Sequence, residues 1–232
     1  MPIFISKKKR TAIITNYKVL YTTLYREGSV EMHNTAPNLI SLLLRGKIKS
    51  EHHQNYLLVR NPFTRLESFF KDKFRKDIDR VMKENADWQL SQQVFFDQLK
   101  VDQSMDKEAI GQIFLNASFE DFIKSLPSAH LLDHHLHPQS FILQYKIRLA
   151  FIKLSIRLKI NKTIKIECKK SMDELASELN IDLKNKMNNT NRKQWNEEMV
   201  WTNSMVDLVN EIYNIDFQTF RYSRKIENKL NC

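Results

Sequence analysis

The chain has 232 residues, 42% of them hydrophobic and 28% charged, with only 3 Gly and 5 Pro. That fits one globular domain with a full core and excludes collagenous, linker-rich and low-complexity architectures. Lys and Arg number 37 against 27 Asp and Glu, a formal charge of +10 that suits an anionic partner without choosing among nucleic acid, nucleotide, lipid and acidic glycan.

Residues 11–15 (TAIIT) form a β-branched run that reads as a buried strand. The stretch NYKVLYTTLYRE follows, closed by Gly28, and its second half can be a short helix ended by that glycine. Residues 55–60 (NYLLVR) are a second strand. Pro62 then suits a helix start, because the missing N–H is not needed in a first turn. Phe63, Leu66, Phe69, Phe70 and Phe74 recur at helical spacing behind it. Capping-box patterns, Ser118 with Asp121 and Ser171 with Glu174, mark two later helices. TIKIE (163–167) is a strand before the second of these, and Met205, Leu208, Val209, Ile212 and Tyr213 mark a final helix. The Asn- and Lys-rich stretches 184–194 and 224–231 read as loop and tail. Strands alternating with helices predict an α/β fold whose parallel sheet is covered on both faces. Cys168 and Cys232 form neither a CxxC pair nor a disulfide framework, so two free thiols and a reducing compartment are expected. No apolar stretch is long enough for a signal peptide or a membrane span.

Parallel sheets bind ligands at the carboxyl ends of their strands, and two segments carry charge there. In TNYKVLYTTL, a helix beginning near Lys18 would turn its N–H groups and the Thr22 and Thr23 hydroxyls toward one anion. In VRNPFTRLES, Arg60 leaves its strand and Ser68 lies two turns into the next helix. The plain alternatives are a helix start with a surface lysine, and an ion pair with a surface hydroxyl. Gly28, Gly46 and Gly111 are too scattered for a Walker A loop, so an ordinary P-loop NTPase is not expected.

YLLVRNPFTRLESFFKDKF resembles the 3'-phosphate-binding segment of Golgi-type carbohydrate sulfotransferases, in outline VR-x-PF-x-RL-x-S-x(3)-DKF. The match runs through Val59, Arg60, Pro62, Phe63, Arg65, Leu66, Ser68, Asp72, Lys73 and Phe74. The segment around Lys18, Thr22 and Thr23 is similar to the same family's 5'-phosphosulfate loop, PK-x-x-[ST]T-[SN]. Here Tyr17 stands in place of the proline, and Leu20 and Tyr21 in place of small residues. SFEDFIKSL and DHHLHPQS resemble the F-x-x-F-[IV] helix and the D-x-H-x-x-PQ segment, with Asp133, His135, Pro138 and Gln139 matching. KIECKKSMDEL resembles the strand ending in Glu, here Glu167, and NNTNRKQW with VNEIYNIDFQTFRY resembles the closing loop and Y-x-x-DF-x-x-F-x-Y segment. The likeness runs from about residue 10 to 222.

The resemblance implies a bacterial-type member of sulfotransferase family 2. Its fold would be a P-loop-NTPase-like central parallel sheet flanked by helices, in a single domain over 1–232 with a core at about 10–222 and a tail at 223–232. It implies transfer of a sulfuryl group from 3'-phosphoadenosine 5'-phosphosulfate (PAPS) to a carbohydrate hydroxyl, on a polysaccharide or glycolipid that can itself be anionic. Tyr17, Lys18, Thr22, Thr23, Arg60 and Ser68 would bind the donor, with Lys18 also stabilising the leaving phosphate. His135 is the candidate base; acceptor binding, loop support, or a carboxylate base are the alternatives, and His33, His52, His53, His134 and His137 are also present. Arg65 is expected in a structural ion pair. His134, His135 and His137 beside Asp133 raise the question of a metal, but neither helix nor strand spacing collects all three histidines, and no metal and no nucleic acid are expected. Animal members carry a Golgi anchor, so the expected location is cytoplasmic unless such an anchor has been removed. The competing readings are a non-catalytic basic protein that binds polyanions or nucleic acid, and an inactive homologue.

Overall fold

The structure is a computed structural model that describes residues 3–6, 11–14, 30–33, 54–84, 86–149, 152–157, 160–180 and 198–226. In chain order these begin with strands β1 (Ile3–Ser6), β2 (Thr11–Ile14), β3 (Val30–His33) and β4 (Gln54–Val59). Helix α1 (Pro62–Lys71), a π-helical turn (Asp72–Lys76), α2 (Asp77–Glu84), the single turn α3 (Leu90–Gln93), α4 (Lys107–Asn116) and α5 (Phe119–Ala129) follow. A 3-10 turn (Gln139–Leu143) leads to β5 (Gln144–Leu149), β6 (Ile152–Arg157) and β7 (Lys162–Lys165). The last helices are α6 (Lys169–Leu179), α7 (Asn203–Ile212) and α8 (Asn214–Phe220). They fall into two compact units, one of Met1–Arg60, Ser140–Asn191 and Asn228–Cys232, the other of Asn61–Gln139 and Arg192–Glu227.

The first unit is a five-stranded sheet ordered β3-β1-β2-β4-β7, with β2, β4 and β7 parallel. The parallel pairing expected of these three strands is present, and the sheet is extended by β1, which pairs antiparallel with both β2 and β3. Only residues 7–10 join β1 to β2, far short of the dozen or so residues a parallel crossover needs. β4 is buried from Asn55 to Val59, the near-continuous apolar run typical of a strand inside a parallel sheet. Ile13, Tyr56, Leu58 and Ile164 of the sheet form one core with Met172, Leu175 and Leu179 of α6. The start of α6 also differs from expectation. Its N-cap is Cys168, not Ser171, and the Glu174 carboxylate accepts from Lys162 Nζ at 2.9 Å instead of closing a capping box. Lys162 reaches Glu178 as well, at 3.0 Å, and Glu178 accepts the Tyr56 hydroxyl proton. Burial and that carboxylate push the Tyr56 phenol up to about 12. The hairpin of β5 and β6, paired from Gln144↔Arg157 to Leu149↔Ile152, was not among the expected elements.

The second unit is helical. Asn61 caps α1: its Oδ1 accepts the Phe63 N–H at 2.9 Å, and Pro62 occupies the first turn as its chemistry allows. Asn61→Ala is expected to cost about 1 kcal/mol of stability, read by urea unfolding at constant slope; a midpoint equal to that of the parent would show the cap contributes nothing. α5 begins with the expected reciprocal box, Asp121 N donating to Ser118 Oγ at 3.1 Å and Ser118 N to Asp121 Oδ2 at 2.9 Å. Phe69, Phe70 and Phe74 from the segment after Arg60 meet Phe95, Phe114 and Phe122 in the core, with Phe74 centred 5.0–5.3 Å from four of these rings. Such contacts add about 0.5–1.5 kcal/mol per pair beyond area burial. Among the described residues, no helix is long and apolar enough to cross a membrane.

Candidate functional site

Tyr17, Lys18, Thr22 and Thr23 lie outside the described residues, as does the short helix expected before Gly28. The remaining candidates, Arg60, Ser68 and His135, are described.

Arg60 follows the last residue of β4, and Glu167 stands two residues beyond the end of β7. Both are therefore at the carboxyl ends of parallel strands, the edge where such sheets take ligands. The Ile166 N–H donates to Val59 O at 3.0 Å, so the pairing of the two strands continues past their ends and brings the two side chains together. Arg60 Nε lies 3.9 Å from Glu167 Oε1, and both are partly exposed. An ion pair of that length and exposure is weak. Ser68 is half-buried within α1, where its carbonyl accepts from the Asp72 N–H.

Arg65, expected in an ion pair, makes a different set of contacts among the described residues. It is buried with its guanidinium 5.0 Å over the Tyr213 ring, and Nη2 donates to Leu136 O at 3.4 Å. The same carbonyl accepts the Tyr213 hydroxyl at 2.8 Å. Burial, partly offset by the Arg65 charge, pushes that phenol up to about 12, which keeps it a donor. Three residues on, the Gln139 N–H donates to Asp216 Oδ2 at 2.7 Å. The D-x-H-x-x-PQ segment is thus fastened at two points to the closing Y-x-x-DF segment. Phe217 of that segment also packs on Phe63, 5.3 Å between centroids.

What is fastened is the turn bearing His135. Asp133 is 1% exposed, and its Oδ1 accepts both the backbone N–H of His135 and His135 Nδ1, each at 2.9 Å. Burial pushes the Asp133 carboxyl up, but the hydrogen bonds and charge of His135 outweigh it and hold the group below its ordinary range. An ionised carboxylate only accepts, so in the neutral ring the proton is on Nδ1, facing Asp133, and the lone pair is on Nε2. The His135 side chain is 39% exposed. The His134 ring lies against it, tilted by 38° with centroids 3.9 Å apart; burial first, and the charge of His135 second, push its imidazole down. Donor atoms of Asp133, His134 and His135 all lie within 4.8 Å of one another. His137 is elsewhere, with Nε2 on Leu131 O at 3.1 Å. The turn therefore gathers two of the three neighbouring histidines. The roles of Tyr213, Arg65 and Asp216 in holding it had no local signal beyond their places in the motifs.

A family model described as the sulfotransferase family matches residues 8–223. No curated protein and no solved structure matches the chain. The family match takes in every motif described above and nearly the whole length, and on that ground the chain belongs to the sulfotransferase family.

Proposed function

We propose that the chain transfers the sulfuryl group of PAPS to a hydroxyl of a polysaccharide or glycolipid. The acceptor oxygen attacks sulfur, the bond from sulfur to the 5'-phosphate oxygen breaks, and the acceptor proton passes to His135 Nε2. The products are a sulfate ester and 3',5'-adenosine bisphosphate (PAP). In this reading Lys18, with Thr22 and Thr23, meets the charge that builds on the departing phosphate. Tyr17 takes the place of the usual loop proline, and Arg60 and Ser68 hold the 3'-phosphate. A guanidinium can grip that group with two parallel hydrogen bonds. The observation that carries the reading is the Asp133–His135 pair, since a buried anion fixes the tautomer that a base requires. The same reading takes the three parallel strands as a P-loop-NTPase-like core within one domain, and the reaction as cytoplasmic and free of metal. The charge of +10 favours an anionic acceptor, with an effect that fades as salt rises.

The test joins calorimetry with transfer. PAP is expected to bind, and Arg60→Ala to weaken it roughly 10–100-fold, the worth of a charge-assisted contact. Labelled PAPS offered with a panel of glycans should yield a labelled product that Lys18→Ala abolishes. Absent PAP binding would overturn the donor assignment. Binding with no transfer to any acceptor would overturn the catalytic reading and leave an inactive homologue, for which Tyr17, Leu20 and Tyr21 would be the first suspects.

A further inference from the structure

We propose that Asp133, His134 and His135 form a binding site for a Zn²⁺-like transition-metal ion that switches the protein off. Oδ1 of Asp133 stands 2.9 Å from Nδ1 of His135 and 3.5 Å from Nδ1 of His134, and donor atoms of all three residues lie within 4.8 Å of one another. Two ligands of a tetrahedral zinc ion with bonds of about 2.0–2.1 Å sit roughly 3.3 Å apart, so the two distances from the carboxylate are close to those of a coordination shell. Among the described residues, the second oxygen of Asp133 is buried with no hydrogen-bond partner, in a residue 1% exposed. A cation held by both carboxylate oxygens would satisfy it. His134 is 61% exposed, which gives an ion access. In the neighbouring rings one nitrogen each is already engaged, His130 Nδ1 with Leu126 O and His137 Nε2 with Leu131 O. Two imidazoles and one carboxylate suit zinc or copper, whereas Mg²⁺ and Ca²⁺ prefer oxygen. The turn is held from behind through Leu136 O and Gln139 N, and held ligands lose little freedom on binding.

The effect on catalysis follows from the tautomer and rests on the base role proposed for His135. When the ring is neutral and metal-free, its hydrogen bond to Asp133 puts the proton on Nδ1 and the lone pair on Nε2. A metal at Nδ1 takes that position, the proton moves through solvent to Nε2, and the ring stays neutral. Nε2 then has no lone pair for the acceptor's proton. No net proton is exchanged, and no oxidation occurs.

The experiment titrates the tag-free chain with ZnCl₂ by calorimetry, with MgCl₂ as control, and follows four-coordinate Co²⁺ by its visible absorption. His134→Ala and His134→Gln change an exposed side chain and leave the Asp133 interior intact. Expected are one Zn²⁺ per chain, no heat from Mg²⁺, and affinity lower by at least about 10-fold in both variants. Inhibition by zinc, relative to each protein's own metal-free rate, should shift to higher metal by the same factor. Absence of stoichiometric binding, or equal affinity in the variants, would overturn the site; binding without inhibition would overturn the switch. A chain that binds zinc as expected but transfers no sulfate when metal-free would instead count against the function proposed above.

Discussion

His135→Ala is expected to lower kcat for sulfuryl transfer about 10²–10⁴-fold, the usual range for a general base, with PAP affinity unchanged within about 2-fold. The size follows from how the ring is held. In the neutral ring, Nδ1–H faces the Asp133 carboxylate, which is nearly inaccessible to water, and the lone pair lies on Nε2 of a partly exposed ring. Arg65 and Tyr213 converge on Leu136 O, the very next residue, so the ring cannot drift without breaking buried hydrogen bonds. A positioned base of this kind acts in the transition state, and its loss should appear in kcat. If His135 merely contacted the acceptor, the loss would appear in KM at near-normal kcat, and that result would refute the base assignment. Added imidazole should restore part of the rate in the alanine variant and none in the parent. Asp133→Asn is expected to follow in the same direction, since an amide can hold the wrong tautomer.

The segment 54–74 was legible because several local signals agreed there. A continuous apolar strand, a first-turn proline and a phenylalanine stripe all point the same way; β4 lies within one residue of the expected 55–60, and α1 begins at Pro62. Elsewhere local signals competed with tertiary ones. Ser171 and Glu174 have the spacing of a capping box, but α6 starts three residues earlier with Cys168 as its N-cap, and Glu174 pairs with Lys162 on the adjacent strand. α4 was overlooked with a glycine at its middle. A Cβ on Gly111 would lie 2.4 Å from Met82 Sδ, so any larger residue there needs the methionine side chain to move. The β5–β6 hairpin did leave a trace, the alternation of Tyr145, Ile147 and Leu149 followed by Ile152, Leu154 and Ile156, and a count at period two would have found it. At the site, the motif identified His135, but the partners that hold its turn come from 71 and 77 positions away. No periodicity encodes a contact at that separation.

Lys73→Met is expected to cost about 3 kcal/mol of folding stability. The DKF tripeptide resembles part of the donor segment, yet its lysine faces inward and is 6% exposed. Lys73 Nζ bonds Asp77 Oδ2 at 2.5 Å and Gln89 Oε1 at 2.9 Å, with Asp72 Oδ2 at 3.5 Å. The π-helical turn makes this possible by burying three successive side chains. Phe74 enters the aromatic core, Lys73 reaches Asp77 and Gln89, and Arg75 bonds Phe114 O and Ala117 O at the end of α4. Methionine conserves the volume, so the cost comes from the buried Asp77 carboxylate left behind. Arg80 at 3.8 Å compensates in part, which places the effect at the low end for a broken buried pair. For a chain of this length the melting temperature should fall by roughly 6–12 °C. The second half of the test is Lys73→Met combined with Asp77→Leu. Removing both charges takes away the stranded anion, so the double variant should regain most of the lost stability. Should the single variant unfold within about 1 kcal/mol of the parent, or the double variant prove no better than the single, the motif's lysine does not stabilise the fold through this pair, and a direct role at the donor would have to be considered for it.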